Sequence, residues 1–437
     1  MQEMKESGIE WIGKIPSSWN LKRIQFCLKE INEKNIPIKT EQVLSLVRDK
    51  GVMLYEDKGN QGNKAKEDVT QYKIAYPNTL IVNSMNILIG SVGISNYMGC
   101  VSPVYYVFQE TKESNLRYIN YIFNTREFQK ELRKYANGIL EIRLRVSATD
   151  IFKRKIPLPD KDTQIAIADF LDKKCEEIDM LSNDISAQIK TLEEYKKAVI
   201  TEVVSRGLEI NTDIKDSGEF IGDIPANWKV CKVKHIAELI TDGAHITPDI
   251  SREEYKFLSV TDMDDYGNLD FNNCLQITEE QYKYFVKTGC KPQKNDVLIS
   301  KDGTIGKTTV IDNDEDFVIA SSLVIIRPNI EKIDPYYLKY SLMSEFVQEQ
   351  LKSLLAGSAL KRVSVGKNAN LKFIYTKKIE EQKALVAFLD MKCVEINRDI
   401  EDKKFQLEIL EQYKKSLIFE YVTGKKEVPI NGQANVD

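Results

Sequence analysis

From Leu171 onward, apolar side chains return every seven positions: Leu171, Ile178, Ile185, Leu192 and Val199, with Leu181 and Tyr195 three residues after two of them. This is a heptad seam, and it predicts a long helix that buries one stripe against a partner helix. A second seam in the same phase runs through Leu389, Ile396, Lys403, Leu410 and Leu417, with one charged position. Ile189, Ile400 and Leu407 widen the stripe, and Glu and Lys cover the other faces. Each helix is expected to span about 40–45 residues, roughly 60–65 Å at about 1.5 Å per residue. A single seam is not stable alone, so the two copies are expected to pair with each other. Two surface helices, each packed on its own domain, are the plainer alternative.

Outside the seams the pattern shortens. Gln42 to Val47, Thr79 to Val82, Val101 to Phe108, Lys256 to Val260, Asp296 to Ser300 and Phe317 to Arg327 are rich in β-branched and aromatic residues, with Gly and Asn between them. These read as strands. Asn115 to Lys134 and Pro335 to Leu355 read as helices. The expected fold class is α+β: two domains with mixed or largely antiparallel twisted sheets, and two long helices forming an antiparallel coiled coil with pseudo-two-fold symmetry. The expected order is a first domain at 1–158, helix 159–208, a second domain at 209–378, helix 379–430 and a polar tail 431–437.

The chain is written twice. Ile12-Gly13-Lys14-Ile15-Pro16-Ser17-Ser18-Trp19 returns as Ile221-Gly222-Asp223-Ile224-Pro225-Ala226-Asn227-Trp228. Phe170-Leu171-Asp172, Lys174-Cys175 and Glu177-Ile178 return as Phe388-Leu389-Asp390, Lys392-Cys393 and Glu395-Ile396. Leu192-Glu193 and Tyr195-Lys196-Lys197 follow in register as Leu410-Glu411 and Tyr413-Lys414-Lys415. Between these anchors the halves barely match, apart from Arg145-Val146-Ser147 against Arg362-Val363-Ser364. Two similar units in one chain form a pseudo-dimer, which favours a two-fold axis, antiparallel helices and domains at opposite ends. Helices that stayed alike suggest one task performed twice, such as docking two copies of a partner. Domains that diverged suggest two different ligands, as for two unlike DNA half-sites at a spacing set by the protein.

Composition narrows the class. Hydrophobic content of 42% and charged content of 29% describe a globular protein, and no apolar run reaches membrane-spanning length. The first twenty residues hold Glu3, Glu6 and Glu10, so no secretory signal is expected. Seven scattered cysteines and two histidines suggest a reducing cytoplasm and no metal site. A net charge of −4 is not that of a basic DNA-binding domain, so a DNA-facing surface requires locally concentrated cations. There is no Asn-Pro-Pro-aromatic or Asp-Pro-Pro-aromatic element for holding a flipped adenine, no Gly-rich cofactor loop and no nuclease cluster. No cofactor and no catalytic residue are expected.

The doubled Ile-Gly-x-Ile-Pro-x-x-Trp entry and the doubled Phe-Leu-Asp helix start resemble the specificity subunit of type I restriction–modification systems. Thr241-Asp242-Gly243-Ala244-His245-Ile246-Thr247-Pro248 resembles a recurrent segment of its target recognition domains, and the first domain lacks a clear counterpart. The resemblance covers nearly the whole chain. It implies a non-catalytic subunit that recognises a bipartite double-stranded DNA site. It also implies assembly with two adenine-methylating modification subunits, with or without restriction subunits. A stand-alone pseudo-dimeric DNA-binding regulator is the alternative.

Candidate DNA contacts in the second domain are Thr241, Asp242 and His245, for which an ordinary Asx turn is the bland explanation. Ser300 to Thr308 ends in Gly-Lys-Thr, but Lys301 stands where a phosphate-binding loop requires Gly. A hairpin presenting Lys301, Thr304 and Lys307 to DNA is expected rather than a nucleotide site. Lys361 and Arg362, with Arg143 and Arg145 in the matching place of the first half, lie in basic clusters suited to phosphates. In the first domain the candidates are Arg48, Lys50, Lys58, Asn60, Gln61, Asn63, Lys64, Asn83, Asn86 and Tyr97. Asn and Gln pair with adenine, and Arg or Lys with guanine; solvated surface loops have the same composition.

Overall fold

The computed structural model describes residues 3–48, 50–59, 68–138, 144–209, 213–218, 222–250, 254–356 and 362–429. Two long helices dominate, Lys161–Arg206 and Ile379–Val422. The chain divides into two compact units, Met1–Ile185 with Phe405–Asp437, and Ser186–Lys404. Each unit therefore takes one part of each long helix.

Within each unit the helices pair antiparallel. In the first, Leu171, Ile178, Leu417 and Tyr421 share one core, Phe170 stacks on Tyr421 at 4.5 Å, and Lys414 reaches Asp179 at 2.6 Å. In the second, Ile200 and Val203 share a core with Leu385 and Leu389, and Lys196 donates to Asn397 at 2.8 Å. Lys403, the charged seam position, donates to Gln188 at 2.5 Å. Leu171 and Leu389 are fully buried, each worth about 1.5–3 kcal/mol of transfer free energy. Leu181 and Tyr195 are exceptions: both are exposed, so the seam is narrower there than the pattern implied.

Each unit has the same four-stranded antiparallel sheet. In the first the order is Leu28–Glu30, Tyr105–Glu110, Thr79–Asn83, Val92–Ser95; in the second it is Ala237–Asp242, Leu323–Pro328, Val297–Ser300, Thr308–Val310. The surroundings differ. The second unit adds a three-stranded sheet of Leu275–Ile277, Tyr255–Leu258 and Phe317–Ile319, whose last pairing is parallel. The first adds the pairs Leu44–Val47 with Gly51–Leu54 and Lys73–Ala75 with Gly99–Val101.

Two runs expected as single strands are broken. At Ser102 to Val104 a turn closed by Tyr105 N–H to Ser102 O separates two strands, and Pro103 has no N–H to continue the ladder. At Ala320 to Ser322 the chain leaves one sheet for the other. The expected helices also break: Leu116–Phe123 is followed by Arg126–Arg133 with Thr125 as N-cap, and Pro335–Met343 by Glu345–Leu355.

Helix starts are locked by a pair of glutamines, both fully buried. Gln164 donates to Pro159 O and Glu113 O and accepts from Asn115 N–H; Gln382 donates to Thr376 O and Lys332 O and accepts from Asp334 N–H. Helix ends are held by buried tyrosines. Tyr118 donates to Val422 O and Tyr337 to Val204 O. Tyr121 and Tyr340 each donate at 2.6 Å, to Asp172 and Asp390 respectively. Burial and the neighbouring carboxylate push both of these phenols far above their ordinary range.

Candidate nucleic-acid interface

In the second unit the Asp242 segment and the 300–307 loop meet. Asp242 ends its strand opposite Val324. Gly243 then passes so close to the neighbouring backbone that a Cβ there would lie 2.2 Å from Ile319 O; only glycine fits. Ala244 N–H to Ile319 O (2.8 Å) and Ser321 N–H to Ala244 O (2.9 Å) fix the turn. Asp242 accepts from Lys301 Nζ and, at 2.9 Å, from His245 Nε2. A carboxylate only accepts, so Nε2 donates to it, and Nδ1 has no partner among the described residues. His245 is exposed, whereas the Lys301 side chain is 4% exposed. Burial pushes the Asp242 carboxyl up, and the bonds from Lys301 and His245 more than offset this, leaving it below its ordinary value.

The loop after Lys301 closes on itself. Ser300 Oγ donates to Thr304 O and accepts from Lys307 N–H, and Gly303 turns at φ +65°. Thr304 is exposed at its tip. Lys307 Nζ is occupied by Asp265 (2.7 Å) and Met263 O (3.1 Å), and its bond holds the Asp265 carboxyl below the usual range. Thr308 opens a strand instead of a helix, so the loop lacks the helix N-terminus that a phosphate-binding loop uses. Val363 N–H meets Lys301 O at 3.0 Å, and beside it Arg362 forks onto Asp302. The structure thus gathers Asp242, His245, Lys301, Thr304 and Arg362, with Thr241 half-buried in the adjoining strand. Lys301 is not presented to solvent as the hairpin reading expected: burial against Asp242 makes it a support for that carboxylate.

The first unit repeats this frame with other side chains. Val146 N–H meets Ser84 O at 3.1 Å, and Arg145 beside it reaches Met85 Sδ at 3.6 Å. Ser147 and Ser364 both cap the helix that follows. Asn83 is buried, with its side-chain oxygen accepting from Met85 N–H, while Asn86 is exposed. Tyr97 is 39% exposed. Arg48 and Lys50 stand on the tight turn between Leu44–Val47 and Gly51–Leu54, at the rim of a groove of about 2100 Å³ that Arg117, Arg126, Lys414 and Lys415 also line. Lys58 lies 4.2 Å over the Tyr55 ring. Asn60, Gln61, Asn63, Lys64, Arg143 and Lys361 fall outside the described residues.

Sequence reasoning missed Asp302 and Asp265, which neutralise two of the proposed DNA-facing cations. It also missed Gln164 and Gln382, although they stand 218 positions apart, the shift of the helix repeat.

Residues 225–408 match the type I restriction modification DNA specificity domain. The chain is 27% identical over 279 residues to the type I restriction enzyme MjaVIII specificity subunit of Methanocaldococcus jannaschii, a stretch covering 63% of this chain. The putative MjaX specificity subunit of the same organism is 25% identical over 302 residues, 69% of this chain. The domain model and both relatives are thus of one kind, the type I specificity subunit, and that is what this chain resembles. These matches span 62% and 66% of the two relatives' own lengths, less than two thirds. The fold also matches a chain from a structure of a type I restriction–modification system solved to explain its assembly and conformational transition. That likeness has a TM-score of 0.69 at 14% identity, covering 94% of this chain and 99% of that one. Among the described residues no helix is long and apolar enough to cross a membrane.

Proposed function

We propose that this chain is the DNA-reading subunit of a type I complex and performs no chemistry itself. It recognises a split double-stranded DNA site, one half by each domain, and brings two adenine-methylating modification subunits to it in the cytoplasm, with or without restriction subunits in the same assembly. The partners, not this chain, flip and methylate the adenine.

One observation carries the reading. The Arg-Val-Ser segment is docked twice on the same strand-and-loop frame, through Val146 to Ser84 and Val363 to Lys301, while the exposed side chains around it differ. A duplicated scaffold with unlike faces suits two different half-sites. The candidate contacts Arg48, Lys50, Asn86, Tyr97, Arg145, Thr241, His245, Thr304 and Arg362 remain proposals on this reading.

The docking surface is argued from a second repeat. Tyr195 and Tyr413 occupy matching heptad positions and are 53% and 51% exposed. Exposed aromatics are strong interface anchors, and their recurrence supports two equivalent docking sites. Gel-shift titration of a target duplex, with and without the co-expressed modification subunit, tests the function. Sequence-selective binding by the assembled complex is expected. Full selectivity from the chain alone, with no co-purifying methyltransferase, would favour the regulator instead.

A further inference from the structure

The two repeated arginines differ in one respect that separates their tasks. Arg362 donates Nε–H to both Asp302 oxygens, at 2.7 and 2.9 Å, and Nη2–H to Oδ2 at 2.6 Å. Two of its five N–H groups are thereby used. The end-on edge, with one N–H on each terminal nitrogen, has no partner among the described residues. The guanidinium side chain is 45% exposed and its carboxylate 24%. Arg145 occupies the same place in the other copy, one residue before the docked valine, but faces Met85, which stands where the second copy has Asp302.

Resting on the DNA-reading function proposed above, we infer that Arg362, buttressed by Asp302, reads a guanine in the half-site of the second domain, whereas Arg145 contacts a phosphate.

Two physical arguments carry this. The first is electrostatic. A phosphate approaching Arg362 meets the Asp302 carboxylate at hydrogen-bond distance from the same guanidinium, and Lys301 is likewise paired with Asp242, so the local charge is balanced and an anion gains little attraction. A guanine edge is neutral and offers two acceptors, O6 and N7, spaced for the two terminal N–H groups of arginine. Among the described residues Arg145 has no such carboxylate, so an anion is attracted to it without that opposition. The second is orientation. The fork on Asp302 fixes the plane of the guanidinium, and the loop carrying Asp302 is itself closed by Ser300. The Arg362 backbone is tied down through the adjacent Val363 N–H bond to Lys301 O. An arginine held in plane loses little further freedom on meeting a base, which favours a discriminating contact over a merely attractive one.

The test uses the full chain co-expressed with its modification subunit, as wild type, Arg362→Lys, Asp302→Asn, Arg145→Lys and Arg145→Met. Each complex is titrated against the methylated target duplex and its single-base-pair variants, at two salt concentrations. Arg362→Lys and Asp302→Asn are expected to lose preference for guanine at one position of one half-site by about 5- to 100-fold, leaving all other positions unchanged. Arg145→Lys is expected to retain every base preference. Arg145→Met, which removes the charge, is expected to weaken all sequences alike and flatten the salt dependence by about one phosphate contact. Retained selectivity at the other half-site shows that each variant is folded. A uniform loss for Arg362→Lys and Asp302→Asn, or a wild-type half-site without guanine, overturns the assignment while leaving the DNA-reading function intact. A wild-type complex that prefers no sequence refutes that function and the assignment with it.

Discussion

The Lys301 ammonium is buried against the Asp242 carboxylate, with 4% of the lysine side chain and 20% of the aspartate side chain exposed. The pair forms the floor of the candidate interface in the second unit and orients His245. Removing Lys301 leaves a carboxylate in a poorly hydrated place. Lys301→Met is expected to destabilise the protein by about 3 kcal/mol, the low end for buried pairs because Asp242 keeps some exposure. Urea unfolding monitored by fluorescence measures it. A loss under about 1 kcal/mol would mean that water replaces the lysine as partner.

The same pair sets a pH dependence. The Asp242 carboxyl is held below its ordinary value in the folded chain, so its contribution is complete above the unfolded carboxylate pKa of about 4. It is lost as pH falls through the lower folded value. Asp242→Asn is therefore expected to narrow the gap in unfolding midpoint between wild type and variant as pH drops from about 6 to 2. A constant gap contradicts the assignment.

Gln164 and Gln382, both fully buried, make the same three hydrogen bonds at the two helix starts. Replacing either amide by a leucine side chain orphans one backbone N–H and two carbonyls. Gln164→Leu and Gln382→Leu are each expected to cost about 2–4 kcal/mol. Faster hydrogen exchange at Asn115 or Asp334 respectively is the local signature, and unchanged exchange at both amides would show that the glutamines do not hold these segments.

These glutamines also show where sequence reading stopped. The heptad residues announce the two helices because period and phase are local properties of the chain. The duplicated Trp19 and Trp228 segments likewise announce the repeat. The four-stranded sheets were legible only in pieces: Pro103 is a strand-breaking signal that the run from Val101 to Phe108 was read through, whereas nothing local around Ala320 records that the chain changes sheets there. The interface was the least legible part. Lys301 and Lys307 stand in the sequence as cations, and nothing local records that Asp242 and Asp265, tens of residues away, neutralise them in the fold. Ion pairing between distant segments is a tertiary fact. The shift of the repeat was the unused signal: it aligns Gln164 with Gln382, and a one-residue adjustment aligns Met85 with Asp302.

Tyr195 and Tyr413 offer a test of partner number. Each is about half exposed, so Tyr→Ala at either position is expected to change stability by no more than about 0.5 kcal/mol. Each substitution is expected to weaken one modification subunit's docking by a hot-spot amount, about 2 kcal/mol. Native mass spectrometry of the co-expressed complex should then show a shift from two bound subunits toward one for each single variant and toward none for the double. Retention of both subunits by the double variant would place the docking surface elsewhere.

The central claim is that one polypeptide carries two unlike DNA readers on a duplicated frame. Base-resolution methylome sequencing of cells expressing the chain with its modification subunit, before and after residues 229–375 are exchanged for those of another specificity subunit, tests it most directly. The account predicts a two-part methylated sequence in which the exchange rewrites one part and leaves the other unchanged. A single uninterrupted target, or an exchange that alters both parts together, would contradict it.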